Sequence, residues 1–307
     1  MSAAWVAVSI RARAMTRRRV GRTGARQLAG ELSLASALAR LAAGPYGHDV
    51  RAAQSLAEAQ RGVVASLVWN VRVLAGWAPR DAVAILRVLA GLVEIVNVEG
   101  HLARLGGHTS GEAPVPLGAL ATEWPRLSTT ADPNGIRTVL AGSAWGDPGT
   151  DRPRDIVLAM RLSLADRVVA VVPRLQPWAA AATALTVASV LADGERLTGA
   201  ARRLAARVLG PSAAAATDLA SLRAALPESA SWVFDAVTEP AELWRAQSGW
   251  WRRVERDSAT LLGGGRPGPD MVIGAVGLLA VDAWRVRAAL ELATRGGQPL
   301  EVFDAVA

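Results

Sequence analysis

The chain has 307 residues, of which 51% are hydrophobic and 20% charged, a composition typical of a globular protein with a large core. It has no cysteine and all 34 basic side chains are arginine, which excludes disulfides, thiolate metal sites, a phosphate-loop lysine and Schiff-base chemistry. The formal charge of +7 suits an acidic partner, whether nucleic acid, an anionic membrane surface or an acidic protein.

The N-terminal segment is mildly apolar over residues 1–10 and then runs directly into Arg11, Arg13 and Arg17–Arg19. No long apolar stretch and no cleavage site of small residues follows it, so the pattern predicts no targeting signal. The protein is therefore expected to be soluble.

Apolar residues recur at helical spacing along most of the chain, as in 158–172 and 279–293, and convincing strand alternation is absent. The sequence therefore predicts an all-α protein. The predicted helices span about 3–18, 26–43, 49–75, 79–105, 154–171, 178–192, 196–209, 215–225, 240–262 and 270–295.

Segments rich in glycine and proline separate these helices. Gly106–Pro116 and Asp132–Pro153 are predicted to be loops or series of turns. Gly210–Pro211 predicts a helix that ends with a C-cap glycine followed by proline, and Gly263–Pro269 separates the last two long helices. The longest uncharged stretch, Leu175–Ala192, is rich in alanine and holds several polar residues, so it is interpreted as a buried helix and not as a membrane span.

A faint internal repeat joins two parts of the chain. Residues 102–107 run into Gly-Gly and are followed by Pro116-Leu117, and residues 292–297 run into Gly-Gly and are followed by Pro299-Leu300. In each case the pattern predicts that a long helix ends and a short helix then begins, and a weaker third copy ends at residues 204–210.

Candidate metal-binding patterns are better explained as structural features. His101 and His108 lie on opposite sides of a Gly-Gly break, and no carboxylate pair accompanies them. Asp147, Asp151 and Asp155 recur every four residues, but the prolines and the glycine between them prevent a single helix. This segment is predicted to form turns, with an acidic residue at the start of the next helix.

Nucleophile and dinucleotide motifs are missing from the sequence. Residues 142–146 lack the G-x-S-x-G spacing and the strand that a nucleophile elbow needs. The glycines at 263–265 follow no strand, so they form no dinucleotide-binding fingerprint.

Arginines are concentrated in two segments, Arg11–Arg26 and Arg245–Arg256, and the second also holds Trp244, Trp250 and Trp251. Basic residues interleaved with aromatic ones can bind nucleic acid by phosphate contact and base stacking. Three acidic residues also lie in or beside the second segment, at positions 242, 255 and 257. They favour a tryptophan-anchored core helix with a salt-bridged outer face.

The last third of the chain resembles a known family. Gly274–Val306 is similar to the closing helix pair of the C subunit of archaeal- and bacterial-type V-ATPases, the counterpart of the eukaryotic d subunit. Asp282, Arg285, Arg287 and Gly296–Pro299 stand at the positions of that family's acidic residue, arginines and small-residue turn.

Three regions of the first third extend the resemblance. Ile10–Met15 is similar to an ARVRAM segment of the family, and Leu38–Tyr46 looks like its L-x-x-T-x-Y segment. Glu94 and Asn97 resemble the E-x-x-N closing helix of its first repeat. The resemblance is weak in the middle of the chain, and the sequence looks like a divergent member of actinobacterial type.

This resemblance implies three similar helical units, residues 1–110, 111–211 and 212–307, arranged as a pseudo-threefold funnel. Such a protein is a non-catalytic adaptor that links the rotor shaft of a rotary ATPase to the membrane c-ring and transmits torque for ion translocation. Its partners would be the central-stalk rotor subunits and the c-ring, with peripheral membrane contact at the cytoplasmic face. It would need no cofactor, metal or small-molecule substrate.

The resemblance also implies a set of partner-interface residues, namely Arg11, Arg13, Glu94, Asn97, Asp282, Arg285 and Arg287. Charge reversal at Arg285 and Arg287 is expected to weaken assembly and to leave isolated folding largely intact. Two other functions stay open from the residues alone: an Arg-rich helical nucleic-acid-binding protein, and a helical enzyme whose site assembles only in space.

Overall fold

The computed structural model describes residues 3–108 and 113–307. The protein is all-α and 73% helical, with no strand among the described residues, which confirms the predicted fold class. The predicted boundary at 110/111 lies outside the described residues.

The chain divides into two compact units, and each is built from separate stretches of sequence. Unit 1 comprises residues 1–86, 112–119 and 251–307, and unit 2 comprises residues 87–111 and 120–250. Helices α5 (Arg80–Leu105) and α14 (Leu243–Gly263) each contribute residues to both units. The three predicted sequence units are a different division of the chain, and they stay a prediction.

Unit 1 has a core formed by helices from both ends of the sequence. Besides its parts of α5 and α14, it holds α1 (Ala3–Thr16), α2 (Gly21–Ala29), α3 (Leu34–Ala42), α4 (Leu56–Trp77), α15 (Pro269–Ala293) and α16 (Leu300–Val306). Leu28, Leu38 and Leu41 of the early helices pack with Val286 and Leu290 of α15 in one buried cluster. Burial of these apolar side chains stabilises the contact between the first and last helices.

Unit 2 contains two buried clusters. Its further helices are α6 (Trp124–Leu127), α7 (Pro133–Ala141), α8 (Pro153–Val171), α9 (Gln176–Ala192), α10 (Gly199–Leu209), α11 (Pro211–Ala214), α12 (Leu219–Ala225) and α13 (Glu228–Ser231). One cluster joins α5, α6, α7 and the first half of α8 around Ile136, Leu140 and Trp145. The other surrounds the alanine-rich α9 and includes Leu222 and Phe234.

Side-chain caps decide where several helices begin, and they correct two predicted spans. The helix predicted at 26–43 is interrupted between α2 and α3, where the Ser33 hydroxyl accepts the Ser36 backbone N–H and starts a new helix. The helix predicted at 49–75 begins at Leu56 because Ser55 and Glu58 form a capping box. Such caps satisfy backbone donors that have no partner inside the helix.

The prediction of a loop throughout Asp132–Pro153 is wrong for its first part, which forms α7. The Asp132 carboxylate accepts the Gly135 backbone N–H at 2.7 Å, and Pro133 occupies the first helical position. An acidic N-cap followed by proline is a helix-start signal, and it outweighs the nearby glycine.

The short helices predicted after the two Gly-Gly breaks differ from each other in the structure. Helix α16 begins at Leu300, as predicted after Pro299. After Pro116-Leu117 the chain forms only a 3-10 turn, Gly118–Leu120. The predicted end of a helix at Gly210–Pro211 is confirmed, since Gly210 follows α10 with a φ of 88°.

The segment 173–192 is the one helical stretch, within the described ranges, that is long and apolar enough to cross a membrane. Its mean hydropathy is 1.3, and half of it is buried inside the protein. Core helices pass the same test of length and composition. Ala180, Ala181, Ala184 and Ala188 all lie in the second cluster of unit 2, which agrees with the prediction of a buried helix.

Helices α14 and α15 approach closely in unit 1 because Gly274 has no side chain. A β-carbon at this position would lie 2.5 Å from the Ser258 carbonyl oxygen and 2.8 Å from the Leu262 backbone nitrogen. Both atoms belong to the backbone of α14, which cannot move aside as a flexible side chain would.

We predict that Gly274→Ala lowers the free energy of unfolding by about 1–3 kcal/mol, because the added methyl forces the two helices apart. The measurement is chemical denaturation followed by circular dichroism. Gly249→Ala in α14 is the matched control, since a β-carbon there meets nothing within 4 Å. The control should gain about 0.5–1 kcal/mol from helix propensity. Equal stability of the two variants would contradict the close approach.

Candidate functional site

The seven predicted interface residues separate into a buried set and a more accessible set. Glu94, Asn97, Asp282 and Arg285 are all buried. Arg13 and Arg287 are exposed, and Arg11 is partly exposed. The buried residues lie on the two long helices α5 and α15, and their side chains contact groups inside the protein.

Asp282 holds the start of α2 in unit 1. Its carboxylate accepts the backbone N–H groups of Val20 at 3.2 Å and Gly21 at 2.7 Å. The hydroxyl of Tyr46, which follows α3, donates to the same carboxylate at 3.0 Å. A carboxylate at the N-terminus of a helix satisfies backbone donors and interacts favourably with the helix dipole.

The Tyr46 hydroxyl is buried with its carboxylate partner. Burial, the negative charge of Asp282 and their hydrogen bond together raise the pKa of Tyr46 well above its ordinary value. The phenol is therefore held protonated as a hydrogen-bond donor. It is a structural contact and has no features of an acid or base catalyst at neutral pH.

Glu94 makes a similar contact in unit 2. Its two carboxylate oxygens accept the backbone N–H groups of Thr122 and Glu123, each at 2.6 Å, just before α6 begins. The indole N–H of Trp145, which follows α7, donates to Glu94 at 3.4 Å. The fully buried carboxylate thus has three donors, as Asp282 has.

The two carboxylates share further details of position. Glu94 and Asp282 each lie eleven residues before the end of their long helix, at Leu105 and Ala293. Tyr46 and Trp145 each lie four residues after the end of a short helix, and a glycine follows each of them. The carboxylate contacts described in units 1 and 2 are therefore alike in sequence spacing and in donors.

Arg167 adds a positive charge beside Glu94. Its guanidinium lies over the ring of Trp145, 4.4 Å from the centroid, and donates to the Thr122 hydroxyl at 3.3 Å. Burial lowers the pKa of Arg167 from its ordinary value, and the charge of Glu94 opposes that shift. The pair compensates the cost of a buried carboxylate, since an unpaired charge there would be strongly unfavourable.

Arg285 connects α15 to two other segments of unit 1. Its guanidinium forms a two-pronged ion pair with the carboxylate of Glu255 on α14, with Nη2 to Oε2 at 2.6 Å. Its Nε donates to the Ala307 carbonyl oxygen at 2.9 Å. The hydrogen bond from Arg285 holds the pKa of Glu255 below its ordinary value, so this carboxyl is ionised at neutral pH.

The burial of Arg285 corrects one expectation from the sequence. Charge reversal there cannot leave folding intact, because it would place two carboxylates together where a buried ion pair now lies. Arg287 is different. The residue is exposed, and its guanidinium donates to the Gln60 side chain at 3.3 Å. Burial lowers the pKa of Arg287, and the charge of Glu291, one turn further along α15, opposes that shift.

The accessible arginines near the N-terminus lie on α1. The Arg11 guanidinium stacks over the Trp77 ring at 3.7 Å from the centroid. Arg13 donates to the Leu262 carbonyl oxygen at 3.2 Å and otherwise faces solvent. Asn97 lies one turn after Glu94 on α5 and is buried.

The histidine and aspartate patterns have structural roles. His101 is buried, and its Nε2 lies 3.1 Å from the Thr130 carbonyl oxygen. Asp147 pairs with Arg137 at 2.9 Å, and Arg154 binds Asp193 and Glu195. No group of three or more histidine or acidic side chains within residues 3–108 and 113–307 could hold a metal ion.

The arginine–tryptophan segment of α14 carries the ion pairs that the sequence favours. Arg245 pairs with Glu242, and Arg253 pairs with Asp257 at 2.8 Å. Trp251 stacks on Trp284 of α15 at 5.2 Å between ring centroids. This surface therefore has a large share of its charge already paired.

Trp145 is the contact residue that sequence reasoning misses. Its signal is the similarity of the two segments that end in an aromatic residue and glycine, A-G-P-Y-G at 43–47 and A-G-S-A-W-G at 141–146. Tyr46 is part of the quoted resemblance, but its partner Asp282 lies 236 residues away in sequence.

The sequence was compared with models of protein families and with curated proteins. No protein-family model matches the chain, and no curated protein matches it in a sequence search.

We predict that Asp282→Ala lowers the free energy of unfolding by about 3 kcal/mol or more, because three buried donors lose one charged acceptor. Tyr46→Phe removes a single donor and should cost about 1–1.5 kcal/mol. Urea denaturation of the two single variants and the double variant gives their coupling energy. Additive losses would contradict the shared contact: in Asp282→Ala the Tyr46 hydroxyl has already lost its carboxylate, so its further removal in the double variant should cost little.

We predict opposite outcomes for charge reversal at two neighbouring positions of α15. Arg285→Glu should prevent stable folding, whereas Arg287→Glu should change the free energy of unfolding by less than about 0.5 kcal/mol. Thermal unfolding measured by circular dichroism distinguishes them. A cooperative transition of unchanged midpoint in Arg285→Glu would contradict the buried ion pair.

Proposed function

We propose that this chain is a non-catalytic adaptor of a rotary V-type ATPase, linking the central rotor shaft to the membrane c-ring. In this proposal three similar helical units, residues 1–110, 111–211 and 212–307, form a pseudo-threefold funnel. The adaptor transmits torque between the soluble head and ion translocation at the cytoplasmic face of the membrane.

The observation that carries the proposal is the pair of similar carboxylate contacts made by Glu94 and Asp282. Both residues belong to the quoted family resemblance, and each holds the start of a short helix with an aromatic partner in support. Similar contacts at equivalent positions are what repeated units would produce. A sequence rich in alanine, leucine and glycine would not by itself give Glu94 and Asp282 similar hydrogen-bond donors at the same distances from helix ends.

The direction of these contacts supports a cyclic arrangement of the three proposed units. Asp282 lies in the proposed repeat 212–307 and contacts Val20 and Gly21 of the proposed repeat 1–110. Glu94 of the repeat 1–110 contacts Thr122 and Glu123 of the proposed repeat 111–211. Helix α9 of the proposed repeat 111–211 packs on α12 and α13 of the repeat 212–307. This third contact has no carboxylate from α9, because α9 contains no acidic residue. Contacts between consecutive units of the proposed division are what a cyclic arrangement would need.

The buried interface candidates act within the chain in this proposal. Glu94, Asp282 and Arg285 position helix ends and stiffen the units, since well-packed helices transmit strain with little loss. Contact with the shaft and the ring falls to accessible residues such as Arg11, Arg13 and Arg287. A body that carries torque needs rigidity more than it needs an active site.

The nucleic-acid alternative has weaker support. The arginine–tryptophan segment that favours it has ion pairs at Arg245 and Arg253 and a stacked pair at Trp251. Phosphate contact at Arg245 and Arg253 would have to compete with their existing carboxylate partners.

We predict that the affinity-tagged chain, purified from its own cells in mild detergent, brings with it the rotor-shaft and membrane-ring subunits of a rotary ATPase. Membrane vesicles from cells lacking the chain should still hydrolyse ATP but lose ATP-driven ion uptake, because the shaft no longer drives the ring. Re-expression of Arg196→Gln, which changes an exposed arginine of unit 2 outside the proposed contacts, serves as the matched control for re-expression of Asp282→Ala.

Two results would contradict the proposal. One is full ATP-driven ion uptake in membranes that lack the chain. The other is purification without rotor subunits under conditions in which the ATPase itself stays assembled.

A further inference from the structure

The net charge of the protein lies entirely in unit 1. Its sequence ranges hold 19 arginines and 12 acidic residues, whereas those of unit 2 hold 15 of each. The formal charge of +7 therefore belongs to unit 1, and unit 2 is neutral. A general preference for arginine codons in the gene would not by itself place the excess of arginine over acidic residues in one unit and leave the other neutral.

Six exposed arginines of unit 1 form a set that we call the basic surface. It consists of Arg13, Arg17, Arg18, Arg22, Arg252 and Arg256. The first four lie in α1, in the turn that follows it and at the start of α2, where no acidic residue occurs before Glu31.

Contacts between α1 and α14 bring the two parts of the basic surface together. Arg13 donates to the Leu262 carbonyl oxygen on α14, and Arg22 is close enough to Glu255 to lower the pKa of that carboxyl. Arg252 and Arg256 lie on either side of Glu255 along α14.

The acidic groups beside the basic surface do not neutralise it. Glu255 is occupied by the buried Arg285, and Asp257 is paired with Arg253 at 2.8 Å and lies 4.0 Å from Arg256. Arg256 is therefore the one member of the basic surface with an ion pair in the part of the chain that the structure describes. Arg17, Arg18 and Arg22 form no ion pair among the described residues. Their charge is available to an external anion, and three adjacent exposed cations attract a polyanionic surface more strongly than a single charge.

An exposed aliphatic residue on the same helix indicates which anionic surface fits. Ile10 is 63% exposed. Its spacing of three and seven residues from Arg13 and Arg17 places all three on one face of α1 and the turn that extends it. An aliphatic side chain beside arginines is suited to the interface of a bilayer, where the chain enters the acyl boundary and the guanidinium groups meet lipid phosphates. Nucleic acid would offer Ile10 no comparable apolar environment.

We propose that the basic surface docks unit 1 on a membrane rich in anionic phospholipid. This inference gives the chain a lipid partner in addition to its protein partners. Its setting beside a membrane rests on the proposed function, but docking is a property that the isolated protein can show.

The test is sedimentation of the purified full chain with vesicles of phosphatidylcholine alone or mixed with phosphatidylglycerol. We predict binding to the mixed vesicles only. The triple variant Arg17→Gln, Arg18→Gln, Arg252→Gln should bind them about a hundredfold more weakly, because each arginine near such a surface contributes about fivefold. Circular dichroism confirms that each variant is folded.

A matched control removes the same charge from unit 2. The variant Arg196→Gln, Arg202→Gln, Arg223→Gln changes three exposed arginines and should bind within about twofold of the unmodified chain, because its charges lie outside the basic surface. Ile10→Ser should weaken vesicle binding by about fivefold or more and leave binding to a DNA duplex unchanged.

Three outcomes would overturn the inference. They are equal binding to both kinds of vesicle, equal losses in the two triple variants, and tighter binding to DNA than to anionic vesicles at the same salt concentration. Vesicle binding without co-purified rotor subunits would overturn only the proposed function. Co-purified rotor subunits without vesicle binding would overturn only this inference.

Discussion

A buried carboxylate that accepts backbone N–H groups is the interaction on which the arrangement of helices depends. Asp282 and Glu94 each satisfy two donors that a helix start cannot satisfy by itself. Because the cost of an unpaired buried charge is high, each carboxylate admits one relative position of a long helix and a short one. The apolar clusters of units 1 and 2 then pack around helices whose relative positions these carboxylate contacts already restrict.

The same constraint separates residues that build the protein from residues that can meet a partner. Arg285 has the residue type and spacing of an interface cation, yet it is 2% exposed and ion-paired. Arg17 and Arg18 carry the same charge but extend into solvent. Surface charges that have no partner within the protein produce the electric field that attracts an oppositely charged partner from a distance. In this protein the net formal charge lies in unit 1.

Helical periodicity was sufficient to predict the fold class and most long helices, because one face of each is apolar over many turns. It failed at α7, where an Asp132 cap outweighs glycine, and at the break before α3, where Ser33 starts a new helix. Glu94 and Asp282 could be singled out from the resemblance, but their donors could not. Backbone N–H groups leave no mark in a sequence, and the contact from Asp282 to Val20 spans 262 residues.

The discontinuous makeup of unit 1 has a consequence for synthesis on the ribosome. Unit 2, residues 87–111 and 120–250, emerges before the α15 residues that cover α2 and α3 exist. Domains generally fold as they emerge, so unit 2 can complete its core while Leu28, Leu38 and Leu41 still lack Val286 and Leu290. During that interval an apolar face remains open, and closing so long a loop slows the last step. Translation speed and chaperone capture should therefore affect the yield of unit 1 more than that of unit 2.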